Sequence, residues 1–199
     1  MRIKMISQLI VLASIGGATA SPFIAPLPPF KDVVTVEEKP EVELVATWKC
    51  PDCTEEEQYV LRKLQENTKI YDRNALATLM GNIKSESNFH PNICEGGSRV
   101  PYTQCYSGGY GLIQWTTAGR YNNLGKFCAK YDCDPSSLEG QTRYMINENI
   151  FQTQLPYFEG SGQTVSYYMN AAYRWLGWGI KGNREVYAYE YVNKLKYLV

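Results

Sequence analysis

The sequence has almost no histidine and no surplus of either charge. His90 is its single imidazole, and twenty Lys and Arg are offset by twenty Asp and Glu. No Lys/Arg-rich run stands out, so the electrostatic footprint of a nucleic-acid binder is missing and no such partner is expected. One histidine and a single CxxC leave a zinc site short of ligands. His90 follows a helical pattern and reads as a loop residue or cap. No metal and no other cofactor is assigned. There are no internal repeats, and strand signals are few. The apolar part of the N-terminal segment, Ile6 to Ile15, is short against the ~20 residues that span a bilayer.

What is present starts at that segment. Arg2 and Lys4 precede an uncharged run, "MISQLIVLASIGGATASPFIAPLPPF". A short apolar stretch behind basic residues, followed by the small-residue triplet Ala18–Ala20, is the pattern of a signal peptide cleaved after Ala20. The competing reading is a retained weak anchor over Met5 to Ile24, ended by Pro22, Pro26, Pro28 and Pro29. Both send the rest of the chain across a membrane, and neither gives it any other membrane contact.

Six cysteines behind an export segment point to disulfides. Spacing favours Cys94–Cys105 and Cys128–Cys133, which leaves Cys50–Cys53, although six cysteines allow fifteen pairings. The "CPDC" of Cys50 to Cys53 reads as a structural loop. A redox site, or a zinc site shared with Cys128 and Cys133, is the alternative.

The 199 residues suffice for one domain with a real core. Residues 1–20 are the export segment. Residues 21–49, rich in Pro, Val and Glu, read as a linker, and residues 50–199 form the globular domain. Thr54 caps a first helix whose opening turn carries three acids. Asp72 caps a second, "RNALATLMGNIKSES". Residues 92–109, rich in Gly, Ser and Cys, read as a loop or short hairpin. Further helical patterns cover Thr117–Lys130, Ser136–Ile150, Val165–Trp175 and Glu185–Tyr197. The class is mostly α, with room for a small β-hairpin. Sixteen Tyr, six Phe and four Trp serve core packing, or sugar stacking in a groove.

On a helical wheel Leu76, Leu79, Met80 and Ile83 share a face that Ser87 continues. Glu86 falls about 20° from Leu79 and about 60° from Ile83, on the shoulder of the apolar stripe and near the C-terminal end of its helix. Lys84 and Ser85 point away. Burial and the negative end of a helix both favour the protonated form of a carboxyl. A protonated carboxylic acid is what glycosidic cleavage needs, because the leaving oxygen must receive a proton. The plainer reading of Glu86 is a solvated charge at a helix end.

"GNIKSESNFHPN", then "GGYGLIQWT", then "NAAYRW" together resemble the phage tail lysozyme family, within the goose-type and lytic-transglycosylase lysozyme group. The likeness covers roughly Thr54 to Leu198. It implies a lysozyme-like α-helical fold and makes Glu86 the catalytic acid. The second motif, Gly109 to Trp115, would line the cleft opposite the acid, with Tyr110, Gln114 and Trp115 as substrate contacts; Gln114 would bond an N-acetyl group or position water. Tyr173 falls where the wider group has a tyrosine close to the acid. Where tail lysozymes often continue with Glu-Arg-Pro, this chain has Arg174 and Trp175. The late "GNREVYAYEYV" still resembles the family's Arg-containing last helix.

A second catalytic carboxylate, needed by an inverting hydrolase, would be Glu95 in the loop between the motifs. Its plainer reading is a solvated loop acid. Without it, water held by Gln114, or attack by the sugar's own 6-hydroxyl as in lytic transglycosylases, completes the reaction. The leading expectation is an exported or virion-associated muramidase. It would cut the β-1,4 bond between N-acetylmuramic acid and N-acetylglucosamine in peptidoglycan glycan strands. The alternatives are a non-catalytic glycan-binding module of a virion, seated among tail proteins, or of a cell surface, and a disulfide-stapled interaction protein.

Overall fold

The computed structural model describes residues 47–198. The expected export segment and nearly all of the expected linker lie outside them. The element order is β1 (Thr47–Lys49), α1 (Glu55–Asn67), α2 (Arg73–Ser87), α3 (Ala118–Tyr131), α4 (Leu138–Asn147), α5 (Asn149–Phe158), α6 (Val165–Leu176), α7 (Arg184–Lys194) and β2 (Lys196–Leu198). The class is mostly α, as expected. The small sheet is not a hairpin, however. It joins the two ends of the domain, with Trp48 opposite Tyr197 in an antiparallel pair. Thr47–Lys49, expected in the linker, therefore belongs to the folded body.

Local chemistry explains the helix starts. Thr54 and Glu57 form a reciprocal capping box at α1, and Asp72 accepts from Asn74 N and Ala75 N at α2. The expected helix Ser136–Ile150 is instead broken at Glu148, and α5 follows at once. The cause is tertiary: Glu148 is buried and takes two charge-assisted bonds of 2.6 Å from Arg120, plus one of 3.3 Å from Trp175 Nε1. The last helix stops at Lys194 because the following residues pair with β1. The loop of residues 92–109 holds one 3-10 turn, Tyr102–Gln104, and two isolated bridges, Ile93–Arg99 and Cys94–Tyr110, rather than a hairpin.

Helix α2 is the centre of the domain. Every residue from Ala75 to Ile83 is buried, Thr78 and Asn82 included, so the middle of α2 is covered on all sides rather than along one stripe. Gly81 allows α7 to cross at close range: a Cβ there would lie 2.4 Å from the backbone nitrogen of Ala188. Lys84, expected to point away, reaches Glu190 on α7 at 2.9 Å. Most large aromatics serve the core, among them Trp115, Trp175, Tyr168, Tyr191, Phe151 and Phe158. The three cysteine pairs are Cys50–Cys53, Cys94–Cys105 and Cys128–Cys133. These are the local pairings, and no cysteine is left free.

Candidate functional site

The C-terminal end of α2 opens into a cleft of about 630 Å³, lined by Glu86, Gln114, Arg120, Trp178, Ile180 and Arg184 among others. Three structures meet there. Helix α2 ends in two successive left-handed residues, Asn88 (φ +49°) and Phe89 (φ +63°). Such backbone is uncommon outside glycine; the buried Phe89 ring, which packs edge-on against Tyr191, holds it in place. Ser87 Oγ donates to Leu112 O at 2.8 Å, tying the helix end to the Gly109–Trp115 loop. That loop is clamped from behind by Gln141, fully buried, which accepts from Leu112 N (2.8 Å) and donates to Pro91 O (2.6 Å) and Pro135 O (2.7 Å). Gly111 is obligatory, because its φ is +74° and a Cβ would meet the Gln141 amide.

The Glu86 side chain is 13 % exposed, so its expected partial burial holds. Its partner was not foreseen. Arg184 Nη2 lies 2.5 Å from Glu86 Oε1. The same guanidinium donates through Nη1 to Ile180 O and Lys181 O, both at 2.9 Å, and lies 5.0 Å from the ring centre of Trp178. One arginine thus holds the acid, the Gly177–Asn183 loop and an aromatic wall together. Gly177 starts that loop as the left-handed cap of α6 (φ +68°). Among the described residues Glu86 Oε2 has no hydrogen-bond partner.

Gln114 is half-buried, sits at φ +52° and lines the cleft. Its Nε2 is committed to Gly111 O (3.0 Å) and Ile93 O (3.3 Å), so Oε1 is the free end and acts as an acceptor. Arg120 enters from α3, oriented by Glu148.

Four expected contacts fall elsewhere. Trp115 is fully buried against Tyr144, where no sugar can stack on it. Burial pushes the Tyr144 hydroxyl up to about 12, with nearby Glu148 adding to the effect. Tyr110 is also fully buried, between Tyr102 and Tyr121, and donates to Val100 O. Tyr173 is 53 % exposed and does not line the cleft; it packs edge-on against Trp178, which does. Glu95 is exposed and lies outside the lining; its carboxylate accepts from Gly109 N at 2.9 Å and closes the turn. Arg174 donates to Gln154 Oε1 at 2.8 Å and stacks on Tyr157.

Sequence reasoning missed Arg184, Arg120 and Trp178. Trp178 had a usable signal: "WLGWG" places a tryptophan just past a glycine helix stop, where a large ring needs either a core or a ligand. The model of the phage tail lysozyme family matches residues 55–194, which spans every helix and both motifs. Neither the curated proteins nor the solved structures contain a match. The chain belongs to the phage tail lysozyme family, and with it to a lysozyme-like role on peptidoglycan.

Proposed function

We propose that this chain cuts the β-1,4 bond between N-acetylmuramic acid and N-acetylglucosamine, with Glu86 delivering the proton to the leaving oxygen. The observation that carries this reading is a largely buried carboxyl with one unpartnered oxygen, in the lining of a cleft of about 630 Å³, in a chain of this family. Arg184 fixes Oε1 and so aims Oε2. Trp178 and Ile180 supply apolar surface for a sugar ring, and Gln114 Oε1 can accept from an N-acetyl N–H or a water.

Among the described residues Glu86 is the one carboxylate lining the cleft. That favours two routes over a paired-acid inversion: water held by Gln114, or internal attack by the 6-hydroxyl of muramic acid. The export pattern of residues 1–20 and the three disulfides fit work outside the cytoplasm, either secreted or carried on a virion. Incubating the chain with purified sacculi and analysing the released fragments tests the reading. New reducing ends mean hydrolysis and anhydro-muropeptides mean transglycosylation; binding without release would leave a glycan-binding module and overturn it.

A further inference from the structure

The cleft at Glu86 is not the largest concavity among the described residues. Another, of about 750 Å³, opens at the other end of α2. Arg73 in its wall and Glu86 are thirteen positions apart on the helix, which is about 20 Å at 1.5 Å per residue. Its walls include Trp48, Lys69, Tyr71, Asp72, Arg73 and Glu159.

These walls are built rather than incidental. Trp48 is held by the β1–β2 pairing, and its Nε1 donates to Tyr71 O at 2.8 Å. Gly162 N donates to Asp72 Oδ2 at 2.6 Å, and Lys69 N to Glu159 Oε1 at 2.9 Å. Asp72 Oδ1 caps α2. Each acid is therefore engaged by backbone N–H groups. The cations are not so engaged: among the described residues neither Lys69 Nζ nor the Arg73 guanidinium has an ion pair or hydrogen bond.

Arg73 lies over the Trp48 ring, 5.7 Å from its centre. A guanidinium stacked on an aromatic face keeps its N–H edge open and pre-oriented, which suits a planar carboxylate. Tyr71 is 56 % exposed and offers a free aromatic face beside it. A cavity with an aromatic platform and two open cations suits a sugar joined to a carboxylate-bearing chain. Peptidoglycan has such a unit wherever a stem peptide hangs from muramic acid: the sugar's own carboxyl is used in the amide link, and the peptide brings free carboxylates.

We infer that this cavity is a second, non-cleaving peptidoglycan site, which takes a stem-peptide carboxylate on Arg73 and Lys69 and a sugar face on Tyr71. The inference rests on the reading that the chain acts on peptidoglycan. Such a site holds the enzyme to the insoluble wall while the Glu86 cleft works about 20 Å along α2.

The test uses the full chain carrying Glu86→Gln, so that ligand stays uncut, and follows backbone amides by NMR. The probes are the N-acetylglucosamine–N-acetylmuramic acid disaccharide with its stem peptide, and uncharged chitotetraose. The disaccharide peptide should shift amides of residues 69–74 saturably. Adding Lys69→Ala and Arg73→Ala, both at exposed positions, should weaken that response about tenfold or more. Chitotetraose should leave it small. In the otherwise native chain the same two substitutions should reduce retention on sacculi and spare the cleavage rate on short soluble glycans. Shifts confined to the Glu86 cleft, an unchanged response in the doubly substituted chain, or equal shifts with chitotetraose would overturn the inference. Failure of the Glu86 reading looks different: sacculi that Glu86→Gln still cuts, whatever residues 69–74 do.

Discussion

Arg184 Nη2 reaches Glu86 Oε1 at 2.5 Å, joining residues 98 positions apart on α7 and α2. Both side chains are nearly out of water, 10 % and 13 % exposed. Removing Arg184 leaves the buried Glu86 carboxyl without its partner. Arg184→Ala should therefore cost about 3 kcal/mol, near the low end for a broken buried pair, and should lower the lytic rate by releasing the Gly177–Asn183 loop. Arg184→Lys keeps the charge but not the three-way fork, and should recover stability more than rate. Denaturant midpoints and lytic rates on the same variants check this; a stable, fully active Arg184→Ala would contradict it.

Gly81→Ala probes the crossing that brings those residues together. A Cβ would sit 2.4 Å from Ala188 N and 2.9 Å from Arg184 O, both backbone atoms of α7. Neither can swing aside, so α7 must move. A loss of about 1–3 kcal/mol is expected for such overpacking, together with reduced activity. A melting temperature equal to the native one would show that the helices are not so tightly apposed.

Trp115 and Trp178 should separate in their effects. Trp115→Ala removes a fully buried ring and should cost about 3–5 kcal/mol, with KM unchanged at temperatures where the variant is folded. Trp178→Ala, in the cleft wall, should raise KM with a smaller loss of stability. The reversed pattern would restore Trp115 as the sugar platform.

How much of this was legible in the sequence follows from the range of each interaction. Thr54 and Asp72 as caps and the local cysteine pairs depend on residues close together in the sequence. They could be read. Glu86 was singled out with a wheel that assumed one apolar stripe, whereas the middle of α2 is buried all round; its partial burial was legible because the end of α2, unlike its middle, meets solvent. The break at Glu148 was invisible, because it depends on Arg120 and Trp175 folding onto it from other helices. Tyr110 and Trp115 were assigned to substrate because their motif lines the cleft. Of its side chains only Ile113 and Gln114 face it, and the aromatic ones anchor the loop from below.

His90 gives the fold a pH dependence of predictable sign. Burial, and then Arg99, lower its pKa from the usual 6.5. The unfolded chain therefore binds the proton more readily. This contribution to stability is complete above 6.5 and is lost as pH falls from there through the folded value. His90→Gln should flatten the part of the stability curve between about pH 7 and 5 that titrates with a histidine. Parallel curves for the two proteins, compared by thermal melts across that range, would contradict it.

Glu86→Gln on purified sacculi is the most direct measurement. Glutamine keeps the volume and can still bond to Arg184 through its oxygen, but it has no acidic proton to give. The fold and glycan binding should persist while release of fragments falls by about 10²–10⁴-fold, the usual loss for general acid catalysis. Release within a few-fold of the native rate, from a variant shown to be folded, would contradict the assignment of Glu86.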